Sequence, residues 1–503
     1  MRFPQTDASY RPSFIIVLLL LASSAIASAS CHTITPSGSG TKSGADWNNS
    51  CAGFSGSCAV ASLVRGDTYY VGAGNYGGAQ YNFNTPASGT SVITIQAATP
   101  AANCTNTGWN ASTMQGRAYN FGPLEFSSDY WTWNGVYRAS GNSWTSWNNP
   151  SGYGFAVNNT AGSGQAVNSS QAVLIIANDI KFSYTDIAGS YNGSSSNPQT
   201  VCDSGIWVEY PGGIGGSGNW TNVYIGYNHI HDTGAGPLIF DNTNYGTIEY
   251  NWLERDQYYD TCHSEAPAVR GHGVGLNYFT LRYNYIENTP GTAPGLATPE
   301  TGASNSSNWY IYGNIIFANE AEEAGNAFRG GGGDGVMELL GDTGAQWNNI
   351  YFYNNTFANW NSLVSGTAIS FGGGWPATLN SVFIQNNLWY NSGNGMFSCT
   401  VSTGTTNCGP PTVSNNTLDN TNRFVSVPNG GNPGAGGEDN FHLATDTAGW
   451  TPLANVTLPN GFVETLNQDM DGVTRTSSQG AFQFTNGSST APVPPSGLTV
   501  IIN

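Results

Sequence analysis

The stretch Ile225-Gly-Tyr-Asn228-His-Ile230 recurs as Ile248-Glu-Tyr-Asn251-Trp-Leu253 and Leu281-Arg-Tyr-Asn284-Tyr-Ile286. Further copies are Ile311-Tyr-Gly-Asn314-Ile-Ile316, Phe352-Tyr-Asn-Asn355-Thr-Phe357, Ile384-Gln-Asn-Asn387-Leu-Trp389 and Val413-Ser-Asn-Asn416-Thr-Leu418. Upstream lie Trp131-Thr-Trp-Asn134-Gly-Val136 and Phe182-Ser-Tyr-Thr185-Asp-Ile187, the latter with Thr in the Asn place. From 228 onward the Asn residues are 23, 33, 30, 41, 32 and 29 residues apart. A coil of stacked strands needs about twenty residues, and the surplus reads as inserted loops. The corner between two strands calls for a left-handed residue, which Asn tolerates, so Asn is expected to adopt that conformation. Stacked coils then align the Asn side chains in a hydrogen-bonded ladder. The flanking apolar residues alternate inward and fill the core. The pattern predicts an all-β, right-handed parallel β-helix solenoid with inserted loops and a small C-terminal segment.

Other architectures fit poorly. No stretch of helical length keeps i, i+3, i+4, i+7 apolar spacing without Gly, Pro or Asn interrupting it. A β-propeller requires even spacing of about 40–45 residues, which the irregular gaps do not show. Two other regions carry a resemblance. Arg65-Gly-Asp-Thr-Tyr-Tyr-Val-Gly-Ala-Gly-Asn-Tyr76 leads into Ser91-Val-Ile-Thr-Ile-Gln96. Near the end stand Asp439-Asn-Phe-His-Leu443, Asp469-Met-Asp-Gly-Val-Thr-Arg475 and Gly480-Ala-Phe482. With the Asn coils, these segments resemble the pectate-lyase-like β-helix superfamily of secreted proteins across residues 60–485. The resemblance implies the fold and matches no specific enzyme family. The expected organisation is an N-terminal cap and opening strands over 30–88, the solenoid over 89–425, and a C-terminal β segment and tail over 426–503. A Gly/Pro/Asn run, Pro428-Asn-Gly-Gly-Asn-Pro-Gly-Ala-Gly-Gly437, marks the last boundary.

Residues 1–29 read as a secretory signal: Arg2 and Arg11, the apolar run Phe14–Leu21, and Ala27-Ser28-Ala29 before the expected cleavage. Export is therefore expected, and a lipid anchor on Cys31 is the alternative at that site. No apolar stretch approaches the length of a membrane span. Eight cysteines in an exported chain read as disulfides of open connectivity, since none has structural-zinc spacing. Charged residues are only 9% of the chain and the net charge is −18, so nothing favours a nucleic-acid partner. A polysaccharide is the expected partner. An acidic one needs a cation such as Ca²⁺ to mediate contact.

Against so neutral a background, clusters of ionisable residues identify the candidate sites. The richest is the insertion between Asn251 and Asn284, with Glu254, Asp256, Asp260, His263, Glu265, Arg270, His272 and Arg282. Inserted loops on a rigid scaffold commonly carry function. Candidate catalytic residues are His263, His272, Asp256, Asp260, Glu265 and Arg270, with Arg282 binding substrate. Gly271-His272-Gly273 resembles a triplet of polygalacturonase-type hydrolases, but that family's Asn-Thr-Asp, Asp-Asp and Arg-Ile-Lys partners are missing. A hydrolase would use two of the carboxyls. A lyase would use His263, Arg270 or Arg282 near a cation, because Lys42 and Lys181 are the chain's only lysines and are poorly placed.

A second cluster, Glu320 to Asp342, surrounds Gly330-Gly-Gly-Gly333 and contributes Arg329, Asp334 and Glu338 as substrate-binding candidates. His229 and His231 alternate with Ile230 and should face outward, exposed, with no third metal ligand evident. Trp131, Trp133, Trp144 and Trp147 either stack on sugars or fill space. These features point to a secreted glycan-interacting β-helix, a polysaccharide lyase or glycoside hydrolase. The competing expectation is a non-catalytic surface or carbohydrate-binding scaffold.

Overall fold

Each repeat copy from Phe182 onward folds as two short strands meeting at a corner, as Tyr224–Gly226 and His229–His231 do around Tyr227 and Asn228. The computed structural model describes residues 29–137, 150–158, 170–189, 203–209, 218–234, 236–254, 266–271, 274–287, 295–297, 305–317, 335–340, 344–359, 367–372, 378–390, 395–399, 407–408, 411–419, 421, 423–426, 440–447 and 449–485. Stacked coils generate three long faces. The first sheet has 15 strands, including Cys31–Thr35, Thr68–Val71, Ile180–Ser183, Tyr224–Gly226, Thr247–Glu249 and Thr280–Arg282. The second has 11, including Thr185–Ala188, His229–His231, Trp252–Glu254 and Tyr285–Glu287. The third has six, among them Asp203–Val208, Leu238–Asp241 and Ala268–Arg270. A four-stranded sheet beginning with Gly295–Ala297 and Gly335–Leu340 lies beside Ala268–Arg270 and continues that face. Successive coils pair in parallel on every face, giving the right-handed parallel β-helix that the repeat predicts.

Register explains the core. Ile187, Ile230, Leu253, Ile286, Ile316 and Phe357 lie opposite one another in consecutive strands and are all buried. Trp131 and Trp133 point into the same interior and are fully buried, so they serve packing. Trp144 and Trp147 lie outside the described residues. The N-terminal edge is blunted by the two-residue strand Cys51–Ala52, which pairs with Ile34 and Thr35 and is pinned by the Cys51–Cys58 disulfide. Cys31–Thr35 already pairs in parallel with Thr68–Val71, so the first sheet begins at the start of the expected cap. A second disulfide joins Cys31 to Cys104. It engages the sulfur that a lipid anchor at Cys31 would use, so that alternative is withdrawn. The expected signal segment lies outside the described residues, except for Ala29. Among the described residues no helix is long and apolar enough to cross a membrane.

The Asn ladder runs unbroken from Asn228 through Asn251, Asn284, Asn314, Asn355 and Asn387 to Asn416. Each backbone N–H and each Nδ2 donates to the Oδ1 of the next Asn, at 2.8–3.1 Å. One expectation is corrected. The left-handed residue is not the ladder Asn but its predecessor: Tyr227, Tyr250, Tyr283, Gly313, Asn354, Asn386 and Asn415 have φ of 51–65°. The ladder Asn is selected for an amide that donates and accepts at once, which no aliphatic residue supplies. The tyrosines in the left-handed position form their own column, with Tyr184–Tyr227, Tyr227–Tyr250 and Tyr250–Tyr283 centroids 4.7, 4.8 and 5.1 Å apart. Such stacking contributes about 0.5–1.5 kcal/mol per pair, comparable to the cost of about 1–2 kcal/mol for each left-handed residue.

The C-terminal segment forms antiparallel pairs, Phe424–Ser426 with Asn440–Leu443 and Val456–Thr457 with Val463–Glu464. It then lies along the outside of the middle coils. Phe441 packs against Tyr285 and Phe317, Asn354 donates to the Leu466 carbonyl, and the Gly480 N–H donates to that of Asn386.

Candidate functional site

Two places on the solenoid exterior gather ionisable side chains. The first is the third face, where Ala268–Arg270 pairs with Leu238–Asp241 so that Asp241 and Arg270 are direct neighbours. Arg270 Nε and Nη2 donate to the two Asp241 oxygens at 2.9 and 3.2 Å, a fork that fixes the guanidinium plane. Trp207 Nε1 adds a bond of 2.8 Å to Asp241 Oδ2. Trp207, Ile239 and Ala268, on the side of these strands that carries Asp241 and Arg270, form a small buried apolar cluster beside this pair. Glu209 follows the strand that carries Trp207, and its carboxyl is raised by burial and then by the charges of Asp241 and Glu125.

The second place is on the second face. Asp186 and His229 are opposite each other in adjacent strands, as are His231 and Glu254. Alternation holds, since Ile230 faces the core. However, His229 is fully buried and His231 is 7% exposed, which corrects the expectation of two exposed imidazoles. They face not water but carboxylates. His229 Nδ1 lies 2.8 Å from Asp186 Oδ1, and its Nε2 lies 2.9 Å from Glu254 Oε1. His231 Nε2 lies 3.2 Å from Asp186 Oδ1, and its Nδ1 lies 2.5 Å from Asp232 Oδ2. Arg117 holds the other Asp186 oxygen at 2.6 Å, and Trp252 Nε1 holds the other Glu254 oxygen at 3.0 Å. Burial alone would raise the Asp186 carboxyl, but bonds from His229 and His231 outweigh it and hold the group well below its ordinary value. Burial would lower His231, yet Asp186 and Asp232 together push it up to about 9.

Asp186 is the partner of these histidines that the sequence did not reveal, because it lies 43 residues upstream of His229. The signal was present in the repeat. In Thr185-Asp-Ile187 and Asn228-His-Ile230, the residue after the ladder position is Asp186 in one coil and His229 in the next. Donor atoms of Asp186, His229 and His231 all lie within 4.8 Å of one another.

Of the expected site residues, the structure brings Arg270 to the third face. The strand Gly335–Leu340, which contains Glu338, lies two strands further along the same face. Asp256, Asp260, His263, Glu265, His272, Arg329 and Asp334 lie outside the described residues, as does the Glu338 side chain. Arg282 is elsewhere, on the first sheet and only 3% exposed. Its Nε donates to Glu249 at 2.6 Å, Nη1 donates to the Tyr312 hydroxyl at 2.7 Å, and Glu464 of the C-terminal segment lies 3.8 Å away. Burial would lower Arg282, but Glu249, then Tyr312 and Glu464, raise it well above its usual value. Glu464, the more distant carboxyl, is raised by burial to about 7 against the pull of Arg282.

No protein-family model matches the sequence, and no curated protein matches it. Among solved structures, pectate lyase Pel9A is similar at 13% identity, covering 92% of this chain and 98% of its own, with a TM-score of 0.37. A GH136 lacto-N-biosidase from Eubacterium ramulus is similar at 9% identity, covering 76% of this chain and 68% of its own, with a TM-score of 0.34. No residue role is transferred from either.

Proposed function

We propose that this protein is an extracellular enzyme that binds and cleaves a polysaccharide across the third face of its solenoid. The observation that carries the reading is the Asp241–Arg270 fork, a guanidinium fixed in orientation, with the Glu209 carboxyl near enough to Asp241 for its charge to help raise it after burial. Arg270 suits recognition of a carboxylate or ring oxygen on the sugar, and Glu209 suits protonation of a leaving glycosidic oxygen. His263, Glu265 and His272 flank the Arg270 strand in sequence and, with Asp256 and Asp260, are proposed to complete the catalytic group. Arg329, Asp334 and Glu338 are proposed to contribute to substrate binding. The two disulfides accord with an oxidising, extracellular setting.

The test is incubation with a panel of neutral and acidic polysaccharides, with and without Ca²⁺, following reducing ends and the absorbance of unsaturated products. Glu209→Gln is expected to lower turnover by about 10²-fold or more, the usual share of a general acid. Arg270→Ala should raise KM most on acidic substrates. Full activity in both variants refutes the site. Tight binding without any product supports the scaffold reading instead.

A further inference from the structure

Each of the two imidazoles on the second face is held from behind by a carboxylate and turned toward Asp186. We propose that Asp186, His229 and His231 bind one divalent transition-metal ion of the zinc class, with Glu254 and Asp232 orienting the two histidines. The site is separate from the Asp241–Arg270 pair on the third face and does not depend on the polysaccharide reading.

The distances suit an ion. Zinc–nitrogen and zinc–oxygen bonds of about 2.0–2.2 Å place neighbouring donors about 3 Å apart. The Asp186 Oδ1 separations from His229 Nδ1 and His231 Nε2 are 2.8 and 3.2 Å, and all three donor atoms lie within 4.8 Å of one another, so the set can close on an ion. The outer contacts also fit. A metal-bound histidine normally donates its second ring N–H to a carboxylate or carbonyl. Here Glu254 takes that place for His229 and Asp232 takes it for His231. Arg117 occupies the second Asp186 oxygen and leaves the first as a single donor.

The two rings are stacked at 4.2 Å with an interplanar angle of 16°. Two nitrogens and one carboxylate oxygen suit zinc and its neighbours, whereas Ca²⁺ takes six to eight oxygens. Asp232 and Arg117, 24% and 28% exposed, mark the way in from solvent. Three protein ligands would leave a coordination position for water or a ligand oxygen.

Metal analysis of the purified, dialysed protein is the first test, followed by titration of the chelator-treated protein with Zn²⁺ and Co²⁺. One equivalent of Zn²⁺ per chain should survive gel filtration, Co²⁺ should give visible absorption bands of a nitrogen–oxygen site, and excess Ca²⁺ should displace neither. His229→Gln and His231→Gln should abolish uptake. Glu254→Gln should keep the cobalt bands and weaken zinc affinity about 10–100-fold. Substoichiometric uptake by the unmutated protein overturns the proposal even if the variants fail to fold. So does displacement by Ca²⁺, or unchanged binding in a folded His229→Gln.

Discussion

Replacing Arg282 by Met should loosen the hold of the C-terminal segment on the coils. Arg282 sits between Glu249 and Glu464, both fully buried, and also donates to the Tyr312 hydroxyl and the Val463 carbonyl. Methionine fills much of the volume but leaves Glu249 with the Tyr224 hydroxyl as its remaining described donor. Glu464 retains donors from Thr280 and Tyr312, and its raised value lets it take up a proton, so Glu249 bears most of the penalty. Breaking one side of a buried pair typically costs about 3–5 kcal/mol, and that is the expected loss in guanidinium unfolding followed by tyrosine and tryptophan fluorescence. Proteolysis should then cut within 444–464 sooner than in the unmutated protein. Adding Glu249→Gln should restore about 2 kcal/mol by removing the orphaned charge. A loss below about 1 kcal/mol, with the segment still protected, refutes the argument that this arginine fastens the segment.

Asn314→Ala removes the acceptor of the buried Asn284 N–H and should cost about 2–4 kcal/mol in the same unfolding assay, whereas Asn416→Ala, at the half-buried end of the ladder, should cost under about 1 kcal/mol. Glu464 has a folded value of about 7 against an ordinary 4.5. Its contribution is therefore complete below about pH 4.5 and is lost as pH rises to 7, by about 3 kcal/mol. Unfolding midpoints across that range should fall in the unmutated protein and show a shallower slope in Glu464→Gln. Reduction should destabilise the N-terminal coils first. Closing the 73-residue separation of Cys31 and Cys104 is worth about 4 kcal/mol, against about 2–3 kcal/mol for Cys51–Cys58, and amide exchange on Thr68–Val71 reports it.

The solenoid was legible because one hexamer pattern carries both its core and its ladder, and both are local. The left-handed position was misplaced by one residue because Asn is common at either place: Asn354-Asn355 and Asn386-Asn387 fill both. Tyr227, Tyr250 and Tyr283 separate the two roles, since tyrosine in that position is stabilised by a column visible only when coils stack. His229 and His231 were readable as a pair but not as a buried one, because their partners come from other coils. The tie between Arg282 and Glu464 left no sequence signal at all. It joins positions 182 residues apart, and in the sequence Arg282 groups instead with the charged insertion before it.

The ladder bonds all point one way. In every step the donors belong to the earlier coil and the acceptor to the later one. The backbone N–H of each ladder Asn is therefore satisfied by the coil that follows it. Each amide also donates its Nδ2 to a carbonyl of the preceding coil, as Asn251 does to Ile225 and Asn284 to Ile248, so every corner is tied in both directions. Removing the coil that follows leaves a corner N–H without its acceptor, so the C-terminal end of the ladder is where an open corner N–H would meet water.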